Sequence, residues 1–114
     1  MDHALAVTAL NALSHDTRLA AFRALVQAGP DGLPVGELRD RLGLPAATLT
    51  AHLNVLRAAG LLADERQGRS IRVRAAYGRM NALLAYLTEN CCAGAACGPS
   101  APCTPPSPQK RKKP

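Results

Sequence analysis

The sequence predicts a mainly α-helical fold with a small β-hairpin. Apolar residues recur at intervals of three and four along most of the chain, which is the spacing of amphipathic helices. Aromatic residues make up only 3% of the 114 residues, so the core must consist of Leu, Ala and Val, which suit packed helices. Near Gly68 the pattern changes to strict alternation, which predicts the hairpin. The length predicts one small domain.

Two helices are predicted in the first quarter of the chain. The first covers residues 4 to 13 and is rich in alanine and leucine. The second begins after Ser14, whose side chain is predicted to cap it, and it ends at Gly29 and Pro30. Its predicted inward stripe consists of Leu19, Phe22, Leu25 and Val26.

A helix-turn-helix is predicted next. One short helix covers residues 35 to 42, and Gly43 ends it. A longer helix begins at Pro45 and runs to about Ala58, with its leucines inward. The second helix of such a pair can enter the major groove of DNA, although similar pairs also occur in bundles that do not bind DNA. Its predicted outward residues are Thr48, Ala51, Asn54 and Arg57.

The predicted hairpin follows directly. Its strands cover residues 61–66 and 69–74, and Gln67 and Gly68 form the turn. One face is apolar and the other is cationic, so beside a helix-turn-helix the hairpin is interpreted as a wing that meets DNA phosphates. The alternative is a solvated hairpin with ordinary surface charges. The arginines of this wing are Arg66, Arg69, Arg72 and Arg74.

A last helix, over residues 77 to 89, carries a narrow apolar seam. Part of the seam is expected to pack on the chain's own core. A chain this small buries a limited core alone, so pairing the first and last helices across a two-fold axis would bury more apolar surface. We therefore expect a homodimer, with an interface formed by Leu5, Tyr77, Met80, Leu84 and Leu87.

The charge distribution is less informative than the net charge of +6 suggests. Residues 1–89 hold ten arginines and all eight acidic residues, and a cluster at 110–113 supplies the remaining four basic side chains. A total of this size is common in proteins that bind no nucleic acid. No apolar run is long enough to span a membrane and no signal-peptide pattern is present, so we expect a cytoplasmic protein.

All four cysteines lie between residues 91 and 103. A disulfide framework joins distant segments, whereas these cysteines could only join a short segment to itself, so they are interpreted as ligands or redox thiols. Beyond Cys92 the composition changes to Gly, Ala, Ser and Pro. We predict a folded domain over residues 1–92 and a flexible tail over 93–114, in which Cys97 becomes ordered on ligand binding.

Three stretches resemble the ArsR/SmtB family of bacterial winged-helix repressors: ALSHDTRLAAFRALV at 12–26, LGLPAATLTAHLNVLRAAGLL at 42–62 and GRSIRVRAA at 68–76. The resemblance covers about residues 4–92. It implies a dimer that binds double-stranded operator DNA without its ligand and releases it afterwards. It also implies that the recognition helix presents residues to the groove or the backbone. The DNA-binding residues expected from this resemblance and from the charge pattern are Ala47, Thr48, Thr50, His52, Arg57, Arg66, Arg69 and Arg72. His52 could instead bond a backbone group and orient the helix.

The end of the last helix reads LTENCCAGAAC at 87–97 and resembles an arsenic-sensing branch of that family, whereas the helix VGELRDRL at 35–42 has no cysteine. The resemblance implies As(III) or Sb(III) as inducer, with no organic cofactor. Such ions are soft and three-coordinate, so three close thiolates satisfy them. The expected ligands are Cys91, Cys92 and Cys97, with Cys103 as a possible substitute or a bystander.

These observations predict an arsenite- or antimonite-responsive repressor of metalloid-resistance genes. One alternative is a thiol redox or persulfide sensor with the same fold. Another is an architectural DNA-binding protein whose cysteines are incidental. An enzyme is not predicted, because no anion-binding loop or paired general acid accompanies the thiols.

Overall fold

The computed structural model describes residues 1–94, and this part of the chain folds into five helices and a three-stranded antiparallel sheet. The helices are α1 (His3–Leu13), α2 (Asp16–Ala28), α3 (Val35–Leu42), α4 (Ala46–Ala58) and α5 (Tyr77–Leu87). The strands are β1 (Leu33–Pro34), β2 (Leu62–Gln67) and β3 (Ser70–Ala75). The predicted fold class, a mainly helical winged helix-turn-helix, is confirmed.

The core is aliphatic, as the composition predicts. The leucines at three-and-four spacing on α4 are fully buried, and Leu25 of α2 and Leu38 of α3 pack in the same cluster. Val73 of β3 is also fully buried, so the inner face of the wing belongs to the same core. This burial fixes the rotation of α4 and therefore decides which of its residues face outward.

The start of α2 differs from the prediction in two ways. His15 rather than Ser14 is the N-cap, because its Nδ1 accepts a hydrogen bond from the backbone N–H of Thr17 at 3.1 Å. Ser14 instead ends α1. Leu19, predicted to face inward, is 44% exposed, and Ala21 takes the buried position beside Phe22.

The sheet has one more strand than the sequence predicts, in the order β1, β3, β2. Strand β1 has only two residues, one of them proline, so it carries no alternation that could be recognised. The hairpin turn is also shifted by one residue. Gln67 pairs with Ser70, so Gly68 and Arg69 form the two-residue loop, with Gly68 at a φ of +62°.

Helix α5 ends at Leu87, two residues earlier than predicted, and the hydroxyl of Thr88 donates to the carbonyl of Leu84 at 2.9 Å. The chain then forms a short turn at Cys91–Gly94. Most of the predicted tail lies outside the described residues, including Cys97 and Cys103. Among the helices of residues 1–94, none is long and apolar enough to cross a membrane.

Candidate DNA-binding surface and thiol site

The outward face of α4 has alanines at its centre and polar side chains on its flanks. Ala47, Thr48, Thr50 and Ala51 are exposed, while Leu49 between them is fully buried. Because successive helical residues are rotated by about 100°, Ala51 lies at the centre of this face, with residues 50 and 52 on opposite flanks. The structure therefore holds the predicted recognition residues in one outward surface, and their contact with DNA stays a prediction.

A cleft of about 490 Å³ separates the start of α3, the Thr50 flank of α4 and the turn of the hairpin. Its walls combine apolar side chains with two arginines: Arg57, whose Nε donates to Asp64 of β2 at 2.8 Å, and Arg69 of the turn. Arg57 also donates to Asn54 at 2.9 Å, so its guanidinium holds the wing against α4. The residues that line the cleft are Pro34, Val35, Gly36, Thr50, Leu53, Arg57, Arg69, Ser70 and Ile71.

The four arginines of the hairpin differ in their contacts. Arg66 and Arg69 are exposed and form no hydrogen bond or ion pair with any described residue. Arg74 pairs with Glu65 at 3.1 Å. Arg72 donates to the carbonyls of Asp31 at 3.1 Å and Gly32 at 3.2 Å, which ties β3 to the turn before β1. Arg66 and Arg69 are therefore the wing arginines whose guanidinium donors are not used by the described part of the chain and could bind phosphates.

Arg72→Met is expected to lower the free energy of unfolding by about 1–3 kcal/mol, because two backbone carbonyls lose charged donors while the side-chain volume is retained. Urea denaturation monitored by circular dichroism measures this change. Arg66→Met is the matched control and should change stability by less than about 0.5 kcal/mol. Equal stability of the two variants would show that the Arg72 hydrogen bonds do not stabilise the wing.

On the opposite flank of α4, the structure brings together three basic side chains that the sequence does not connect. The centroids of the His15 and His52 rings lie 4.6 Å apart, and Arg18 Nη1 lies 3.5 Å from His52 Nδ1. The Nε of Arg18 donates to the carbonyl of Ala12 at 2.7 Å, which fixes the guanidinium against the end of α1. Burial, and then the nearby His15 and Arg18, lower the pKa of His52.

Cys91 and Cys92 lie just beyond α5 and differ in exposure. Cys91 is half-buried and Cys92 is exposed. Burial, and then the neighbouring Cys92 thiol and a hydrogen bond with it, raise the pKa of Cys91. Asn90, Cys92 and Ala93 all have φ between +55° and +58°, a left-handed conformation that is unfavourable for residues with a Cβ.

Within residues 1–94, no group of three His, Cys, Asp or Glu side chains is arranged to hold a metal ion. In the described residues, the thiols that could bind a soft ion are therefore the two at the end of α5. The third expected ligand, Cys97, and the possible fourth, Cys103, lie outside the described residues, so the predicted thiolate trio stays a prediction.

The predicted dimer residues fall into two groups. Leu5, Leu84 and Leu87 are 42%, 43% and 54% exposed, so they present apolar surface to solvent in the single chain. Tyr77 and Met80 are partly buried against the chain's own core, and the Tyr77 hydroxyl donates to the carbonyl of Val26 at 3.0 Å. Leu5, Leu84 and Leu87 are the stronger candidates for a contact with a second chain.

Comparison with known proteins agrees with this architecture. A helix-turn-helix domain family matches residues 13–65. An ArsR-like transcriptional regulator from Rhodococcus sp. RHA1 is 30% identical, with a TM-score of 0.67, over 81% of this chain and 83% of that protein. The chain belongs to the ArsR family of transcriptional regulators. HlyU from Vibrio cholerae, with 30% identity and a TM-score of 0.58, matches this ArsR-family chain over 76% of its length and 97% of HlyU.

A fold match to this ArsR-family chain is also found in a homodimeric winged helix-turn-helix DNA-binding domain from Mycobacterium bovis. It has 22% identity and a TM-score of 0.60 over 82% of this chain and 87% of that one. No match is found among curated protein sequences. The ArsR-family membership agrees with the resemblance seen in the sequence, and DNA contact through α4 and the wing stays a prediction.

Proposed function

We propose that this ArsR-family regulator is a homodimeric repressor that binds operator DNA through α4 and the wing and releases it when As(III) or Sb(III) binds its C-terminal thiols. The observation that carries the proposal is the position of Cys91 and Cys92. They follow the exposed Leu87 of α5 within five residues and the exposed Leu84 within eight. A ligand at these thiols therefore acts next to the surface that is proposed to join the two chains.

The proposed dimer interface is formed by the outer faces of α1 and α5. The two helices pack together in one chain, and His3 of α1 lies 2.9 Å from the Tyr86 hydroxyl of α5. Leu5, Leu10, Leu84 and Leu87 leave apolar surface exposed on this pair of helices. The related fold from Mycobacterium bovis is homodimeric, which supports the same assembly here.

The proposed ligand chemistry balances without an oxidant. One molecule of arsenous acid, As(OH)₃, reacts with three thiols to form three As–S bonds and releases three molecules of water. Cys91 and Cys92 supply two of these sulfur atoms, and Cys97 is proposed to supply the third. Adjacent cysteines are poorly placed for a direct disulfide, because Cα atoms of neighbouring residues are about 3.8 Å apart and disulfides usually need about 4.4–6.8 Å.

Ligand binding is proposed to lower DNA affinity by changing the end of α5. Asn90, Cys92 and Ala93 adopt a left-handed backbone conformation that is unfavourable for residues with a Cβ. Ligation at Cys91 and Cys92 is therefore proposed to change the backbone path after α5 at a small cost in free energy. A shift in the paired α5 helices changes the separation of the two α4 helices, which must match successive major grooves about 34 Å apart. The coupling is expected to weaken DNA binding by about 5–150-fold.

Arsenite titration tests this function. The reduced protein is bound to a fluorescent duplex containing the site it selects from a random DNA library, and anisotropy is followed as arsenite is added. The wild type should release the duplex. Cys91→Ser, Cys92→Ser and Cys97→Ser should keep their DNA affinity and lose the response, because each removes one sulfur ligand.

Cys103→Ser is the matched control, since it removes a thiol from the same region, and it should respond almost normally. Mass spectrometry in the presence of reductant should show one arsenic atom per wild-type chain. The proposal is wrong if no adduct forms, or if an adduct forms and the duplex stays bound.

A thiol redox sensor is the second candidate, because the Cys92 thiol is exposed at the end of α5, where an oxidant can reach it. HlyU of Vibrio cholerae was solved in a form described as reduced. Release of DNA on adding a mild oxidant, with no response to arsenite in reductant, would favour this candidate over the metalloid repressor.

A further inference from the structure

The cluster of His15, Arg18 and His52 lies on the flank of α4 that faces away from the wing. Thr50 lines the cleft beside the hairpin, and His52 lies two positions further along the helix, which is about 200° of rotation. The exposed Ala51 lies between them. A helix in the major groove has one DNA strand along each flank, so the wing and the histidine cluster face different phosphate backbones.

The hydrogen bonds of the cluster fix which ring nitrogens can donate. The backbone N–H of Thr17 donates to His15 Nδ1, and a guanidinium can only donate, so His52 Nδ1 accepts from Arg18. In each neutral ring the proton therefore resides on Nε2. Neither Nε2–H has an acceptor among the described residues.

The cluster also lacks a negative charge. No carboxylate of residues 1–94 forms an ion pair or hydrogen bond with His15, Arg18 or His52, although Asp16 is their neighbour in sequence. His15 is exposed, and the other two side chains are half-buried, so a ligand can reach them from the DNA side. Burial, and then the neighbouring His15 and Arg18, lower the pKa of His52, which agrees with a site that holds no carboxylate partner.

We propose that His15, Arg18 and His52 together bind a backbone phosphate of the operator, on the strand opposite to the one that the wing contacts. Two Nε2–H donors and the remaining guanidinium N–H groups give the charge-assisted hydrogen bonds that a phosphate accepts. The first turn of α2, which begins beside His15, adds the favourable end of its helix dipole. This inference rests on the proposed DNA binding and adds a third contact region to α4 and the wing.

Two substitutions of His52 separate a phosphate contact from a purely structural role. His52→Asn keeps an acceptor near the Nδ1 position for Arg18 and removes the Nε2–H donor. His52→Gln keeps a donor near the Nε2 position and removes the Nδ1 acceptor. We expect His52→Asn to weaken binding to the selected duplex by about 5–30-fold and His52→Gln to stay within about threefold of the wild type. If His52 only holds Arg18, the order of the two variants reverses, and the proposal is wrong.

A charge test at His15 completes the experiment. His15→Asp keeps an N-cap oxygen for Thr17 and places a negative charge where the phosphate is proposed to lie. Gln27→Glu, in the last turn of the same helix, is the matched control for net charge. His15→Asp should bind the duplex at least about tenfold more weakly than the control, and the slope of log affinity against log salt should fall by about one phosphate contact.

Outcomes for this site and for the proposed repressor are distinct. If the wild type binds no duplex, the proposed function itself has failed. If the wild type binds and releases its duplex with arsenite, but His15→Asp matches Gln27→Glu in affinity and salt slope, the phosphate site alone is refuted.

Discussion

The Leu84→Glu/Leu87→Glu double variant is expected to be monomeric and to bind its DNA site about 10²–10⁴-fold more weakly than the wild type. Both leucines belong to α5 and are 43% and 54% exposed in the single chain, whereas the preceding Leu83 is buried. Two carboxylates on this face would have to be desolvated against the same residues of the partner, so the dimer is lost while the core is unchanged. A monomer binds a single half-site and lacks the added affinity that a dimer gains by binding two linked half-sites.

Size-exclusion chromatography with light scattering measures the oligomeric state, and anisotropy measures the affinity. Asn81→Glu/Ala85→Glu is the matched control, because both positions are exposed on the same helix and add the same charge away from the buried Leu83. It should remain dimeric and bind DNA within a few-fold of the wild type. A dimeric Leu84→Glu/Leu87→Glu protein would place the interface elsewhere on the chain.

The sequence predicts an element of the fold correctly where its apolar residues repeat over several turns and all of them are buried. The leucines of α4 repeat at three-and-four spacing, and all three are buried as that spacing predicts. Strand β1 could not be recognised in this way, since two residues carry no period and Pro34 is unusual in a strand. The prediction that Leu19 faces the core is wrong, because single leucines are also common on protein surfaces. The spacing of apolar residues alone does not distinguish a buried leucine from an exposed one.

The candidate sites were predictable only in part, for a similar reason. The charge pattern of the hairpin indicates a cationic wing. It does not indicate that the Arg72 guanidinium donates hydrogen bonds to the carbonyls of Asp31 and Gly32. Contacts between residues about 40 positions apart depend on how the sheet closes onto the turn. The pairing of His15 with His52 is of the same kind, because it joins the first turn of α2 to the middle of α4.

Gly32→Ala is expected to lower the free energy of unfolding by about 2–5 kcal/mol. Gly32 has a φ of +67°, which disfavours any residue with a Cβ. An added Cβ would also overlap the backbone oxygen of Val73 and would lie 2.8 Å from the Val73 carbonyl carbon. Val73 belongs to β3 and its side chain is fully buried, so its backbone cannot move away from the added Cβ without disturbing the core. Small domains are stabilised by only about 5–15 kcal/mol, so much of the total would be lost.

The consequence of Gly32→Ala extends to DNA binding, because the same turn receives both hydrogen bonds from Arg72. Displacing it moves the anchored strand and hence the positions of Arg66 and Arg69. Gly78→Ala is the control, since its Cβ would meet no atom within 4 Å and its helical position favours alanine, so it should be neutral or stabilising by about 0.5–1 kcal/mol. Thermal and urea unfolding compare the midpoints of Gly32→Ala and Gly78→Ala with that of the wild type. If Gly32→Ala unfolds with the wild-type midpoint, β3 is not held against this turn, and the wing lacks the rigid support on which its proposed phosphate contacts depend.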